Sequence, residues 1–120
     1  MSAPRDNSVY LGHIRDSCLR IEFYLSGVTE DAFLETELIQ DGVVRQIQVI
    51  GEAVKRLSRE LREANPDIPW SDIAGMRDKL VHDYMGIDLE AVWETARTDI
   101  PSLRTKLEEL ALPEEGSNSA

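Results

Sequence analysis

The sequence predicts an all-α protein, an antiparallel bundle of four to five helices in a single domain. Three observations carry this. Apolar residues recur at spacings of three and four along most of the chain, no stretch alternates with a period of two, and glycines, prolines and capping residues fall at the ends of the periodic runs. At 120 residues the chain can bury one core and little more. The helical domain is expected over 1–112. Residues 113–120, Pro-Glu-Glu-Gly-Ser-Asn-Ser-Ala, lack an apolar anchor and are expected to form a disordered tail.

The first helix is expected from about Ser8 to Ser26, where Leu11, Ile14, Cys18, Ile21 and Leu25 make one stripe and Gly27 supplies the stop. Thr29 can cap a short turn through Phe33. The longest helix is expected from about Glu37 to Ala64, with Val43, Ile47, Ile50, Val54, Leu57 and Leu61 on one face and Asn65-Pro66 ending it. Gly42 and Gly51 each weaken that helix by about 1 kcal/mol relative to alanine, so another element should approach closely there. After Ile68-Pro69-Trp70, Ser71 or Asp72 can cap a helix carrying Ile73 to Met85 and stopping near Gly86. Asp88 can cap the last helix, along Leu89, Val92, Ala96, Ile100, Leu103, Leu107 and Leu110. Pro101 is expected to kink or break it.

Composition narrows the function. With 42% apolar and 30% charged residues and no long apolar run, the chain reads as a soluble domain that does not span a membrane. The opening Met1-Ser2-Ala3-Pro4-Arg5-Asp6 has no apolar signal core, so the cytoplasm is the expected location. The single cysteine, Cys18, forbids an internal disulfide, and with His13 and His82 alone beside it no zinc site is expected. A net charge of −10 argues against a general nucleic-acid binder, which needs a basic face. An RNA-directed activity would therefore depend on a local cluster of arginines, doubled in a dimer.

The chemistry-bearing residues fall in the run Gly75-Met76-Arg77-Asp78-Lys79-Leu80-Val81-His82-Asp83-Tyr84-Met85-Gly86. It reads R-x4-H-x-Y. On one continuous helix Arg77 and Tyr84 lie about 20° apart, with His82 about 140° from Arg77. Arg77 and His82 then converge only around the helix end, by unwinding near Gly86, or across a dimer. Asp78, one turn before His82, can hydrogen-bond the imidazole and set its tautomer. Such a cluster can cleave RNA without metal: a histidine takes the proton of the ribose 2′-hydroxyl and a guanidinium offsets charge on the phosphate. A plainer reading is also open, with His82 at a helix end, Arg77 in a surface ion pair and Tyr84 packed for its ring.

The stretches Ile68-Pro69-Trp70-Ser71-Asp72-Ile73-Ala74-Gly75-Met76-Arg77, Tyr84-Met85-Gly86-Ile87-Asp88-Leu89, Val92-Trp93-Glu94-Thr95 and Asp99-Ile100-Pro101 resemble the HepT-like branch of the HEPN superfamily. Val44-Arg45-Gln46-Ile47-Gln48-Val49-Ile50-Gly51-Glu52-Ala53 resembles that family's long helix. The resemblance covers the chain apart from its tails. It implies a homodimeric helical bundle, a metal-independent endoribonuclease with no cofactor, and the role of toxin in a toxin–antitoxin pair. It further implies Arg77 and His82 as the catalytic pair and Tyr84 as the residue to which a partner, an MntA-type nucleotidyltransferase antitoxin, adds AMP. Arg45 and Glu52 are implied to line the cleft, solvated ion-pair partners being the alternative. Asp78 departs from the asparagine common there; it can hold Arg77 in an ion pair or orient His82. The alternative function is an inactive HEPN domain serving as a nucleotide-binding or regulatory partner of the transferase. Trp70 and Trp93 read as core or interface aromatics, Lys79 as a solvated lysine within reach of phosphate, and His13 and Cys18 as structural residues.

Overall fold

The computed structural model describes residues 7–82 and 86–110, and of Val81 and His82 the backbone only. The architecture is an all-α bundle, and the described residues hold eight α-helical segments, one π-helical turn and one short strand pair. The sequence predicted four or five helices; the count is higher because the chain breaks two of them and a π turn divides the last.

Helix α1 (Asn7–Tyr24) and helix α3 (Glu37–Lys55) form an antiparallel pair. One end is fixed where the Tyr24 ring lies over Gly42, at 3.2 Å from the point where a Cβ would sit. At the other end the Ser58 N–H donates to Asn7 Oδ1 at 3.0 Å, and Asn7 Nδ2 donates to Ser58 Oγ at 3.1 Å. Between these ends Ile14, Cys18 and Ile21 meet Val43, Ile47, Ile50 and Val54, all essentially sealed from solvent. Helix α2 (Glu30–Glu35) starts where predicted, with Thr29 Oγ1 accepting from the Ala32 N–H at 3.1 Å, and it buries Phe33 against Trp93 at 5.4 Å between ring centroids.

The predicted Glu37–Ala64 helix is two helices. Helix α3 stops at Lys55 and α4 covers Arg59–Ala64. Ser58 makes the break, its Oγ capping α4 by accepting from the Leu61 N–H at 3.1 Å while Asn7 holds it from α1. Leu57 and Leu61 stay buried across the break, which is why the apolar period runs through it. Asn65 then ends α4 and turns back, Nδ2 donating to the Leu61 carbonyl and its own carbonyl accepting from the buried Trp70 indole at 3.0 Å.

At the other end of the chain, Asp88 caps α7 (Leu89–Glu94) as predicted, accepting from the Ala91 N–H at 3.1 Å. The helix does not break at Pro101. It widens instead into a π turn over Thr95–Asp99 and continues as α8 (Ile100–Glu108). The Ile100 N–H donates to the Thr95 carbonyl five residues back. Proline lacks the N–H an α-helix would use, and its ring crowds the carbonyl four residues earlier; the wider turn places both in the first turn of α8. Ile100 and Leu103 enter the core, and Arg104 ties α8 to α1 through Glu22 at 2.7 Å. Trp93 is half-buried beneath the Arg97 guanidinium at 5.1 Å from its ring centre.

Candidate active site

The sequence predicted one helix from Ile73 to Met85. The structure replaces it with α5 (Trp70–Ala74), a break at Gly75, α6 (Met76–Leu80) and an antiparallel pair of two-residue strands, β1 (Val81–His82) and β2 (Gly86–Ile87). Neither Ser71 nor Asp72 caps α5; both lie in its first turn, after Pro69. Its end packs against α3, where the Ala74 carbonyl lies 3.2 Å from the Cβ position of Gly51. A Cβ at 51 would crowd this backbone by a few tenths of an ångström, so the close approach expected at Gly51 exists.

Helix α6 buries Met76 and Leu80, four residues apart, which turns Arg77, Asp78 and Lys79 to solvent. The chain leaves the helix after Leu80. The Asp88 N–H donates to the Leu80 carbonyl at 2.9 Å and closes the base of the strand pair, with Val81 opposite Ile87 and His82 opposite Gly86. Gly86 has φ +89°, a left-handed conformation that suits glycine at the return of so short a loop.

Of the predicted site residues, α6 carries Arg77 and Asp78, both exposed. Arg77 Nη1 lies 3.3 Å from Asp78 Oδ1, and the two side chains are 47% and 78% exposed. The contact joins two neighbouring, exposed side chains. The helical spacing that would bring Asp78 under His82 does not exist, because α6 ends between them. His82 is placed by its backbone in β1, and its side chain lies outside the described residues, as does Tyr84 entirely. Lys79 is exposed and lies 4.0 Å from Asp72. In formal charge Arg77 and Lys79 are matched by Asp78 and Asp72.

Arg45 and Glu52 lie one above the other on the outer face of α3, seven residues apart. They line a groove of about 370 Å³ between α1 and α3, with Tyr10, His13, Gln48 and Arg56. Arg77 does not line it. Glu52 pairs with Lys55 at 3.7 Å. His13, expected to be structural, is exposed, its ring edge-to-face with Tyr10 at 6.0 Å and 89°. It sits beside the buried Ile14, about 100° around the helix from the apolar stripe. Sequence reading passed over this groove, although the i, i+3 spacing of Tyr10 and His13 and the recurrence of Arg45, Gln48, Glu52 and Arg56 are its signal.

Cys18 is buried as expected, and burial, reinforced by the Glu22 carboxylate, pushes its thiol up to about 12. Trp70 and Trp93 are packing aromatics, also as expected. Among the described residues no three histidine, cysteine or acidic side chains gather as a metal ion would require. No helix among them is long and apolar enough to cross a membrane.

The family model described as "Ribonuclease HepT-like" matches residues 14–110, a span holding α3, α6 and both strands. The chain belongs to the HepT-like ribonuclease family. Its relatives include a gamma-glutamylcyclotransferase and candidate RNase of Methanocaldococcus jannaschii, 44% identical over 103 residues, covering 86% of this chain and 46% of the relative. A candidate RNase of Caldanaerobacter subterraneus subsp. tengcongensis is 38% identical over 110 residues, 92% of this chain and 96% of the relative. A candidate ribonuclease HepT of Thermococcus cleftensis is 38% identical over 106 residues, 88% and 96%. This HepT-like chain therefore spans about half of the first relative and nearly all of the other two. No solved structure matches it.

Proposed function

We propose that the chain is a metal-independent endoribonuclease that works as a homodimer, with Arg77 and His82 as its catalytic pair. Membership of a ribonuclease family carries the reading, and the exposure of Arg77 on a helix leading directly into the strand of His82 supports it. His82 takes the proton of a ribose 2′-hydroxyl, and the 2′-oxygen attacks the adjacent phosphorus. The 5′-oxygen of the next nucleotide leaves and takes up a proton. The products are a 2′,3′-cyclic phosphate and a free 5′-hydroxyl. Arg77 offsets the charge that builds on the phosphoryl oxygens, exchanging its contact with Asp78 for one with the phosphate. Two subunits bring two copies of each residue to a shared cleft, with Arg45 and Glu52 on the adjoining helix.

In this reading the protein is the toxin of a toxin–antitoxin pair in the cytoplasm, and an MntA-type nucleotidyltransferase is its antitoxin. The Tyr84 phenol attacks the α-phosphorus of ATP, diphosphate leaves, and the phosphodiester of the attached AMP opposes RNA by volume and charge. A second reading, an inactive HEPN partner of such a transferase, is favoured by one observation, the Arg77–Asp78 contact.

The test is cleavage of RNA by the purified chain in excess chelator. Cyclic-phosphate ends are expected, with a loss of about a hundredfold or more in each of Arg77→Ala and His82→Ala. Mixing those two chains should restore part of the activity, and Tyr84→Phe should cut RNA yet resist silencing by the transferase and ATP. Cleavage that needs Mg²⁺ or survives both substitutions sinks the enzyme reading; a folded chain that never cleaves supports the second.

A further inference from the structure

Helix α1 carries apolar side chains on two sides. Its inner stripe, Ile14, Cys18 and Ile21, enters the core. About 170° around the helix runs a second line, Val9, Gly12, Asp16, Leu19 and Phe23, spaced three and four residues apart in turn. That is the spacing of a coiled-coil seam. Among the described residues nothing covers it: Val9 is 45% exposed, Leu19 38% and Phe23 78%, and no atom lies within 4 Å of the point where a Cβ would sit on Gly12. A glycine in mid-helix lowers helix propensity, and Gly12, unlike Gly42 and Gly51, gains no close contact within the chain to offset the loss. Single exposed apolar residues are ordinary, whereas three in register with a gap between them form a surface.

We propose that this seam packs antiparallel against the same seam of a second copy of the chain, as a contact additional to the shared catalytic cleft. The seam complements itself. A two-fold axis passing between residues 17 and 18 sets Phe23 opposite the partner's Gly12 and Leu19 opposite the partner's Asp16. The ring fills the gap that the missing side chain leaves. Asp16 then lies next to the partner's Arg20, and Arg20 has no ion pair among the described residues. Within its own chain Asp16 has only a long contact, 3.9 Å, to its exposed neighbour Arg15. A parallel pair would instead set Phe23 against Phe23 and Asp16 against Asp16, leaving Gly12 unfilled and bringing like charges together. An unrelated apolar partner would need neither the match of Phe23 to Gly12 nor that of Asp16 to Arg20. None of the residues assigned to the cleft, Arg77, His82, Asp78, Arg45 and Glu52, lies on α1. The seam is about 21 Å long, less contact than a stable pair needs by itself, so it joins catalytic dimers into a larger assembly as concentration rises.

The experiment is sedimentation of the full chain over a concentration series. The unsubstituted chain should form species heavier than a dimer, and Phe23→Gln, at an exposed position, should keep the fold and weaken that step about tenfold or more. Gly12→Leu is the sharper variant. It should raise the melting temperature, because leucine restores helix propensity and meets no neighbour within the chain, yet weaken assembly as much by filling the gap. Asp16→Arg and Arg20→Asp should each weaken assembly about fivefold, and the two together should restore it. A chain that never exceeds a dimer overturns the proposal, as does assembly unchanged in Phe23→Gln and Gly12→Leu, or a paired charge exchange that restores nothing. If Phe23→Gln yields monomers that no longer cut RNA, the seam is the catalytic contact itself and the additional interface is overturned. Failure of the ribonuclease reading looks different: no chain cuts RNA in chelator, while the substitutions still change the mass.

Discussion

The α1–α3 pair and the segment from Gly75 to Leu80 are held in place by very different amounts of buried surface. Seven side chains, Ile14, Cys18, Ile21, Val43, Ile47, Ile50 and Val54, are sealed between the two long helices and their neighbours. Between Gly75 and Leu80 only Met76 and Leu80 are buried, and each keeps a few percent of its surface in solvent. At about 1.5–3 kcal/mol for each fully buried side chain of this size, the first region fixes the fold and the second is fastened lightly onto it. On the proposed function, the chemistry sits on the lightly fastened part. A residue proposed to meet phosphate has to stay exposed, and the backbone of Arg77 is positioned by Met76, Leu80 and the contact of α5 with Gly51 of α3.

The largest difference should appear on truncation in the core. Ile47→Ala is expected to lower unfolding free energy by about 2–5 kcal/mol, a cost set by lost burial and the cavity left behind. Urea denaturation measures it, and a loss under 1 kcal/mol would mean that the α1–α3 interface is less tightly packed than its burial indicates.

Cys18 probes the same core through pH. Its thiol is raised from 9.0 to about 12 by burial and Glu22, with Arg104 opposing. A raised acid favours the folded state below its unfolded value: the contribution is complete below pH 9 and is lost as pH climbs from there towards 12. Between pH 8 and 10.5 the unsubstituted protein should lose about 2 kcal/mol more stability than Cys18→Ala, at roughly 1.4 kcal/mol per unit. Equal pH slopes in paired denaturation curves would show that solvent reaches the thiol.

The two regions meet at Gly51. In Gly51→Ala the new methyl would lie 3.2 Å from the Ala74 carbonyl, a backbone atom that moves only with α5. Crowding of about 1–3 kcal/mol is partly offset by about 1 kcal/mol of regained helix propensity, so a net destabilisation of at most about 2 kcal/mol is expected, together with a drop in RNA cleavage as α5 is displaced. Full activity in this variant would uncouple the catalytic segment from α3.

The same contrast explains what could be read from the sequence. The α1 stripe, the Thr29 and Asp88 caps and the tight contacts at Gly42 and Gly51 follow from local spacing and from glycine inside a helix, so they were legible. Ser58 breaks the long helix with help from Asn7, 51 residues earlier, and no local pattern carries that. Pro101 was rightly seen as incompatible with a regular α-helix, but whether the chain breaks or widens depends on Ile100 and Leu103 both reaching the core. The motif segment has helix-forming residues up to Leu80, and its exit into β1 is secured by the Leu80–Asp88 hydrogen bond, a pairing across eight residues. Arg77 and Asp78 were singled out from residue type and spacing, and the structure shows them exposed and in contact; the groove holding His13 was missed because a histidine beside an apolar stripe was assigned to the stripe.

The smallest expected effect separates the two roles open to Asp78. In the structure it contacts Arg77 at 3.3 Å with both side chains well exposed, and exposed pairs of this kind contribute about 0–1 kcal/mol. In the proposed reaction, RNA phosphate displaces that contact before Arg77 stabilises the transition state. Asp78→Asn keeps the shape and removes the charge, so cleavage should rise, by no more than about fivefold, the equivalent of 1 kcal/mol. The gain should shrink at high salt, where the ion pair is already screened. The competing role, orientation of the His82 imidazole, predicts the opposite sign, because asparagine would weaken the hydrogen bond that fixes the tautomer. Steady-state cleavage of one RNA at two salt concentrations therefore decides between them: a salt-sensitive rise assigns Asp78 to restraining Arg77, and a fall that salt does not alter assigns it to His82.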